Sequence, residues 1–277
     1  MKKIDFHVHI TPPEIIKNVE KFAAKEPYFA LLSASKKNKF ATACQVIQEL
    51  DMVGFDMAVV FGFGFKDTGL CKMVNDYVIE SVKNYSSRLT GFCVFPCDKT
   101  FAEKEIDRCF SAGLKGVGEL FPCGQCIEIE NNKQTSWAAS CIERKMPVLV
   151  HTNEPVGHYY PGKTSTTLKQ LETFVINNPH LNIVFAHWGG GFLFYELMHE
   201  IHDFSKNVFY DCAASPFLYD DKIYQTAIFL VGQNKIIFGS DFPLIPLQTY
   251  LDKIQKTLID NNVLELFLGG NAEKLLP

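Results

Sequence analysis

Ile4-Asp5-Phe6-His7-Val8-His9 opens the chain with an apolar, β-rich run that ends in two histidines. Residues two apart share a face of an extended strand, so His7 and His9 point the same way. With Ile4–Val8 as the first, eight such runs occur. The others are Met57–Gly62, Thr90–Phe95, Gly116–Leu120, Val148–His151, Ile183–His187, Val208–Asp211 and Ile236–Ser240. Most are continuous Val, Ile and Phe stretches, the pattern of parallel strands buried on both faces.

Helical patterns separate them: Thr42–Val53 (stopped by Gly54), Asp67–Asn84, Phe101–Phe110, Thr135–Lys145, Ser165–Ile176, Gly191–Phe204, Tyr219–Val231 and Thr249–Asp260. Eight β–α alternations without a break in composition predict one (β/α)8 TIM barrel over residues 1–277. Thr11–Lys39 is too long for a simple loop. It is expected to be an inserted segment after strand 1, with a helix at Pro13–Ala24, placed to cover the barrel mouth. Near the C-terminus, Asn271 is expected to N-cap a short helix.

Composition narrows the function. The chain has 277 residues, 47% hydrophobic and 21% charged, with a formal net charge of −4. That balance offers no electrostatic footprint for nucleic acid, and no apolar run approaches the ~20 residues of a membrane helix. Asp5 and His7 interrupt what would be the apolar core of a signal peptide. The nine cysteines are scattered through core-like segments, as free thiols in a reducing cytoplasm would be. Cys123-Gly124-Gln125-Cys126 alone is too small a set for a structural zinc site. A cytoplasmic enzyme with a small-molecule substrate is the expectation.

The strand ends carry the chemistry. Strand 1 ends at His7 and His9, strand 4 at Glu119, strand 5 at His151, strand 6 at His187 and strand 8 at Asp241. In a barrel these ends converge on one face. Any one of them alone has an ordinary explanation: a hydrogen-bonded histidine, a salt-bridged glutamate, an aspartate capping a helix. Six together point to a divalent metal, with Zn2+ suited to imidazole and carboxylate donors. A metal-bound water has its pKa lowered toward ~7. Asp241 would take its proton, and His187 would stabilise charge or protonate a leaving group. His199 and His202 are expected to be surface or packing residues, and His180 a loop residue. His158, Tyr159, Tyr160 and Lys163 follow the strand-5 histidine in a loop that would overhang the metal; they are candidates for substrate contact, or simply a solvated loop. Phe61-Gly62-Phe63-Gly64-Phe65 fits either a pocket wall for an apolar or aromatic substrate or plain core packing.

These residues resemble the amidohydrolase superfamily, within it the amidohydrolase-related metal-dependent hydrolases. The motifs are Asp5-Phe6-His7-Val8-His9, Gly116-Val117-Gly118-Glu119, Val150-His151-Thr152, Phe185-Ala186-His187-Trp188-Gly189-Gly190, Phe238-Gly239-Ser240-Asp241-Phe242-Pro243 and Leu268-Gly269-Gly270-Asn271-Ala272. The resemblance implies a (β/α)8 barrel with one or two divalent ions. His7 and His9 would bind the first, with Asp241 as ligand and proton acceptor. In a mononuclear arrangement His151 completes that site and His187 acts on substrate. In a binuclear one Glu119 bridges, and His151 and His187 hold the second ion. No lysine ends strand 4, so a carbamylated-lysine bridge is not expected.

Hydrolysis of a C–N, C–O or P–O bond is the leading expectation. The alternative is a nonoxidative decarboxylase resembling aminocarboxymuconate-semialdehyde decarboxylase, built on the same His, His, His and Asp set. The strand-4 Gly-x-Gly-Glu weighs against it. So does the lack of an arginine clamp, since Arg88, Arg108 and Arg144 all lie away from predicted strand ends. Lys163, or an arginine lent by a neighbouring subunit of a homo-oligomer, would remove the second objection.

Overall fold

The computed structural model describes residues 1–37, 39–258 and 260–277. Eight parallel strands form one sheet in the order β1 to β8: β1 Ile4–His9, β2 Met57–Phe61, β3 Leu89–Cys93, β4 Gly116–Leu120, β5 Val148–Val150, β6 Ile183–Phe185, β7 Val208–Asp211 and β8 Ile236–Ile237. The ends of the sheet meet through Phe6 N–H to Phe238 O at 2.9 Å, Asp241 N–H to His7 O at 2.9 Å and His9 N–H to Phe242 O at 2.8 Å. The result is the expected (β/α)8 TIM barrel, nearly closed.

Two apolar layers follow from the alternation along the strands. Ile4, Phe6, Val59, Phe92, Leu149, Val184 and Ile237 fill the interior, with Leu275 of the C-terminal helix packed against them. Val8, Val60, Val117, Val150 and Phe185 face the surrounding helices. A strict period of two would put Phe6 and Val8 on one face. Instead the register of β1 against β2 slips between Asp5 and Val8. That irregularity lets Phe6 fill the interior while His7 and His9 turn to the mouth. A second slip, between Val117 and Leu120 against β5, carries Glu119.

The helices differ in detail from the expected spans. Ala43–Val53 has Thr42 and Gln45 as a capping box and Gly54 as a left-handed cap. Thr68–Asn84 is capped by Asp67. The expected Pro13–Ala24 helix is broken at Asn18 into Pro13–Lys17 and Val19–Ala23, followed by Pro27–Ser33. Ile15, Phe22 and Phe29 from these pieces pack on Phe65, Leu70 and Val94, which fixes the insertion beside the mouth. Gly191–Phe204 is not one helix. His187 to Gly191 all have positive φ, and regular α-helix appears only at His199–Phe204. The expected Thr249–Asp260 helix runs Leu247–Thr257, and Ile259 lies outside the described residues. Asn271 is not an N-cap: its own φ and ψ are helical. Its side-chain amide donates to the carbonyls of Gln233 and Ile236 at 2.7 and 2.8 Å, supplying partners around the very short β8.

No described helix is long and apolar enough to cross a membrane. All nine cysteines are free, and Cys123 Sγ contacts Tyr28 Oη and Ser165 Oγ.

Candidate metal centre

The six strand-end residues meet at the mouth. Overlapping sets—His7, His9 and Glu119; His7, His187 and Asp241; Glu119, His151 and His187—each bring their donor atoms within 4.8 Å of one another. Glu119 lies at the middle. Its Oε2 is 3.6 Å from His7 Nε2 and 3.5 Å from His9 Nε2. Its Oε1 is 3.0 Å from His151 Nδ1 and 3.4 Å from His187 Nε2. Asp241 Oδ1 stands 3.3 Å from His9 Nε2 and 3.7 Å from His7 Nε2.

Backbone geometry aims these groups. Asp241 (φ 62°) and His187 (φ 56°) are both left-handed, a region that costs a non-glycine residue about 1–2 kcal/mol. The Asp241 N–H bond to His7 O holds one of them. Gly190 lets the turn after His187 lie against the β5 loop, because a Cβ there would stand 2.3 Å from Asn153 O.

Hydrogen bonds settle where the ring protons sit. His7 Nδ1 donates to Asp211 Oδ2 at 2.7 Å, His187 Nδ1 to Ala213 O at 3.0 Å and His151 Nε2 to Gly162 O at 2.8 Å. The other nitrogen of each ring faces the group. His7 Nε2 is buried without a hydrogen-bond partner among the described residues. A buried, unpartnered ring nitrogen beside two carboxylates and further imidazole nitrogens is a position that a divalent cation satisfies in place of a proton, so these residues fit one.

Electrostatics agree. Burial opposes charge on Glu119, yet His7 and His151 more than offset it and hold the carboxyl well below its usual range. For Asp241 burial is likewise outweighed by His9 and His7. Burial also opposes an imidazolium at His7, but Glu119 and Asp211 push it well up. His9 is raised against burial by Asp241 and Glu119. His187 is pushed up to about 9, with Glu119 and Asp241 overcoming burial. The carboxylates and the ring protons thus hold one another in place, and a bound cation would take over the role of those protons.

Above the group opens a cavity of about 520 Å³. His9, Glu119, His151, His187 and Asp241 line its floor, and Phe29, Phe40, Phe63, Phe65, Phe121 and Phe217 its walls. Phe63-Gly64-Phe65 therefore serves the pocket, while Phe61 packs edge-on against His7 and His9. His158 and Tyr160 also line the cavity, and Tyr160 Oη donates to Glu154 Oε2 at 2.9 Å. Tyr159 is exposed, and Lys163 Nζ bonds the carbonyls of Val156 and Gly157, bracing the loop.

Three groups were not anticipated. Asp211 ends β7 behind His7. Asp5 accepts from Ser240 N–H at 2.9 Å, Ser240 Oγ at 2.5 Å and His7 N–H at 3.2 Å, tying β1 to the strand-8 turn. Burial pushes Asp5 up to about 7 against those bonds. Lys37 and Lys39 reach the cavity from the insertion. The available signals were the position of Asp211 at a strand end, like the other six, and the basic run at Lys36, Lys37 and Lys39.

Known proteins fall in line with this architecture. The amidohydrolase family model matches residues 4–277. The chain is 23% identical to 2-amino-3-carboxymuconate-6-semialdehyde decarboxylase of Dictyostelium discoideum, over 99% of this chain and 93% of that one. The 5-carboxyvanillate decarboxylase structure from Sphingomonas paucimobilis superposes with a TM-score of 0.79 at 15% identity, covering 99% and 98% of the chains. A dihydroxybenzoic acid decarboxylase from Polaromonas sp. JS666, with bound manganese and 2-nitroresorcinol, gives 0.74 at 15% identity, covering 99% and 96%.

These relatives are decarboxylases, and they overturn hydrolysis as the leading expectation. Both objections to decarboxylation also lose their force. Glu119 is one donor among several, an arrangement that serves metal chemistry of either kind. The arginines do pair away from the mouth, with Asp51, Asp76, Glu105 and Asp107, but Lys37 and Lys39 supply positive charge at the cavity instead. With the family model matched from β1 to the C-terminus and its strand-end residues gathered at one mouth, the chain belongs to the amidohydrolase family.

Proposed function

We propose that this protein is a metal-dependent, nonoxidative decarboxylase of an aromatic or conjugated carboxylic acid. The observation that carries this is the union of two features in one space: a polar floor of imidazoles and carboxylates, and walls of phenylalanine. An apolar ring stacks on such walls, and its carboxylate lies over the floor.

His7, His9, Glu119 and Asp241 would hold the divalent cation, and mixed imidazole and carboxylate donors accept Mn2+ as well as Zn2+. Manganese in the Polaromonas enzyme makes Mn2+ the first ion to test. When bound, the cation supplies positive charge that orients the substrate's carboxylate and an adjacent oxygen.

The chain's own groups manage the proton. Decarboxylation breaks one C–C bond, CO2 leaves, and a proton takes its place on carbon. His187 faces the cavity and carries its second proton at Nε2, which Glu119 and Asp241 stabilise. It is the general acid in this scheme, and Asp241 shares the proton with it. His151, held by Gly162 O, keeps Glu119 and His187 in register. The phenylalanine walls exclude water from the developing carbanion.

Incubating the Mn2+-loaded protein with 2,6-dihydroxybenzoate, 5-carboxyvanillate and related acids should release CO2, with products shorter by that group. Turnover of substrates without CO2 release would overturn the proposal.

A further inference from the structure

Asp211 is fully buried at the end of β7, and its two oxygens serve different strands. Oδ2 accepts from His7 Nδ1 at 2.7 Å. Oδ1 accepts the backbone N–H groups of His187 at 2.8 Å and Ala213 at 3.0 Å. The Ala213 carbonyl then accepts from His187 Nδ1 at 3.0 Å. A carboxylate and a carbonyl can only accept, so both rings carry a proton on Nδ1 and turn Nε2 inward.

We propose that Asp211 is a positioning residue that sets the tautomer and orientation of His7 directly, and of His187 through the 211–213 turn. One carboxylate thereby presents two imidazole Nε2 atoms to the centre. The inference rests on the cation site and not on which bond the enzyme breaks.

The backbone supports this role. His187 sits in the left-handed region at φ 56°, and its N–H is the one Asp211 accepts. The same carboxylate thus holds both the ring and the unusual turn on which the ring is mounted. Second partners of this kind are worth roughly 10–100-fold in metal affinity.

Asp211→Asn is the discriminating change because it keeps size and one acceptor oxygen. Oδ1 still receives the two backbone N–H groups, while the new amide N–H2 faces His7 Nδ1. A donor there makes Nδ1 accept and moves the ring proton to Nε2, the atom that would ligate.

Zn2+ is titrated into the full-length wild type and D211N by calorimetry against a competing chelator, with circular dichroism to check the fold. Affinity is expected to fall roughly 10–100-fold in D211N. In parallel, long-range ¹H–¹⁵N spectra of the Zn2+-loaded wild type should show Nδ1–H on both His7 and His187. A purely structural role would move stability but not the tautomer or the affinity. Nε2–H on His7, or the absence of Nδ1–H from either ring, in the loaded wild type overturns the proposal, and that measurement stands even where the variant fails to fold. So does D211N binding Zn2+ within roughly twofold of wild type.

Discussion

Glu119 Oε1 and His151 Nδ1 lie 3.0 Å apart although the other nitrogen of His151 already donates to Gly162 O. The contact therefore places a proton or a cation between them. Glu119 Oε2 meanwhile faces His7 and His9. The carboxylate divides the centre into a strand-1 side and a β5–β6 side.

One Mn2+ per chain is the expected stoichiometry, because His7, His9, Glu119 and Asp241 are assigned to the cation and His187 to the proton. Elemental analysis after dialysis checks this; two ions per chain would place His151 and His187 among the ligands. Glu119→Gln should weaken Mn2+ by at least roughly tenfold while leaving the far-ultraviolet spectrum unchanged.

Metal uptake should release protons at neutral pH. His7 and His9, the two imidazoles assigned to the cation, are both held above the usual histidine range by the carboxylates around them. Below their raised pKa values the rings hold protons with which a cation competes. Apparent affinity should therefore keep climbing above the ordinary histidine value of about 6.5 rather than level off there. Calorimetry in buffers of different ionisation enthalpy checks the number of protons released.

Lys37 and Lys39 should matter for carboxylate substrates and not for the metal. Both are exposed, so each interaction is modest: Lys37→Ala and Lys39→Ala are expected to raise KM by roughly two- to fivefold with kcat nearly unchanged. The effect should shrink with added salt. Equal KM at low and high ionic strength in the wild type would count against it.

Asn271→Ala should destabilise the barrel by about 1–3 kcal/mol, since the carbonyls of Gln233 and Ile236 lose their side-chain partner. Phe6→Ala, deep in the interior, should cost about 3–5 kcal/mol. Urea unfolding of the metal-free proteins separates the two, and Asn271→Ala should keep wild-type Mn2+ affinity.

The eight strands were legible because most are continuous β-branched or aromatic runs, and ionisable residues gather where those runs end. His7, His9, Glu119, His151, His187 and Asp241 are found together for that reason. Asp211 met the same criterion but carried no motif, and what it does depends on a ring from β1, 204 residues away in sequence. The lysines were hidden differently: which way the insertion folds is set by Phe22 and Phe29 packing on Phe65, a tertiary contact without local periodicity. Helices were least legible where glycines follow β6, because a run of positive φ has no apolar period to announce it. The order of the two reactions was misjudged because one donor set serves both.

The phenylalanine walls all come from connecting segments: Phe29 and Phe40 before the helix that precedes β2, Phe63 and Phe65 after β2, Phe121 after β4, Phe217 after β7. The floor comes from the strand ends. Selectivity and reactivity are thus inherited on separate pieces of chain. Recombining the insertion or the β2 loop with those of a relative should retune which acid is accepted while the ion-binding floor passes through intact, so this scaffold is a natural starting point for loop grafting.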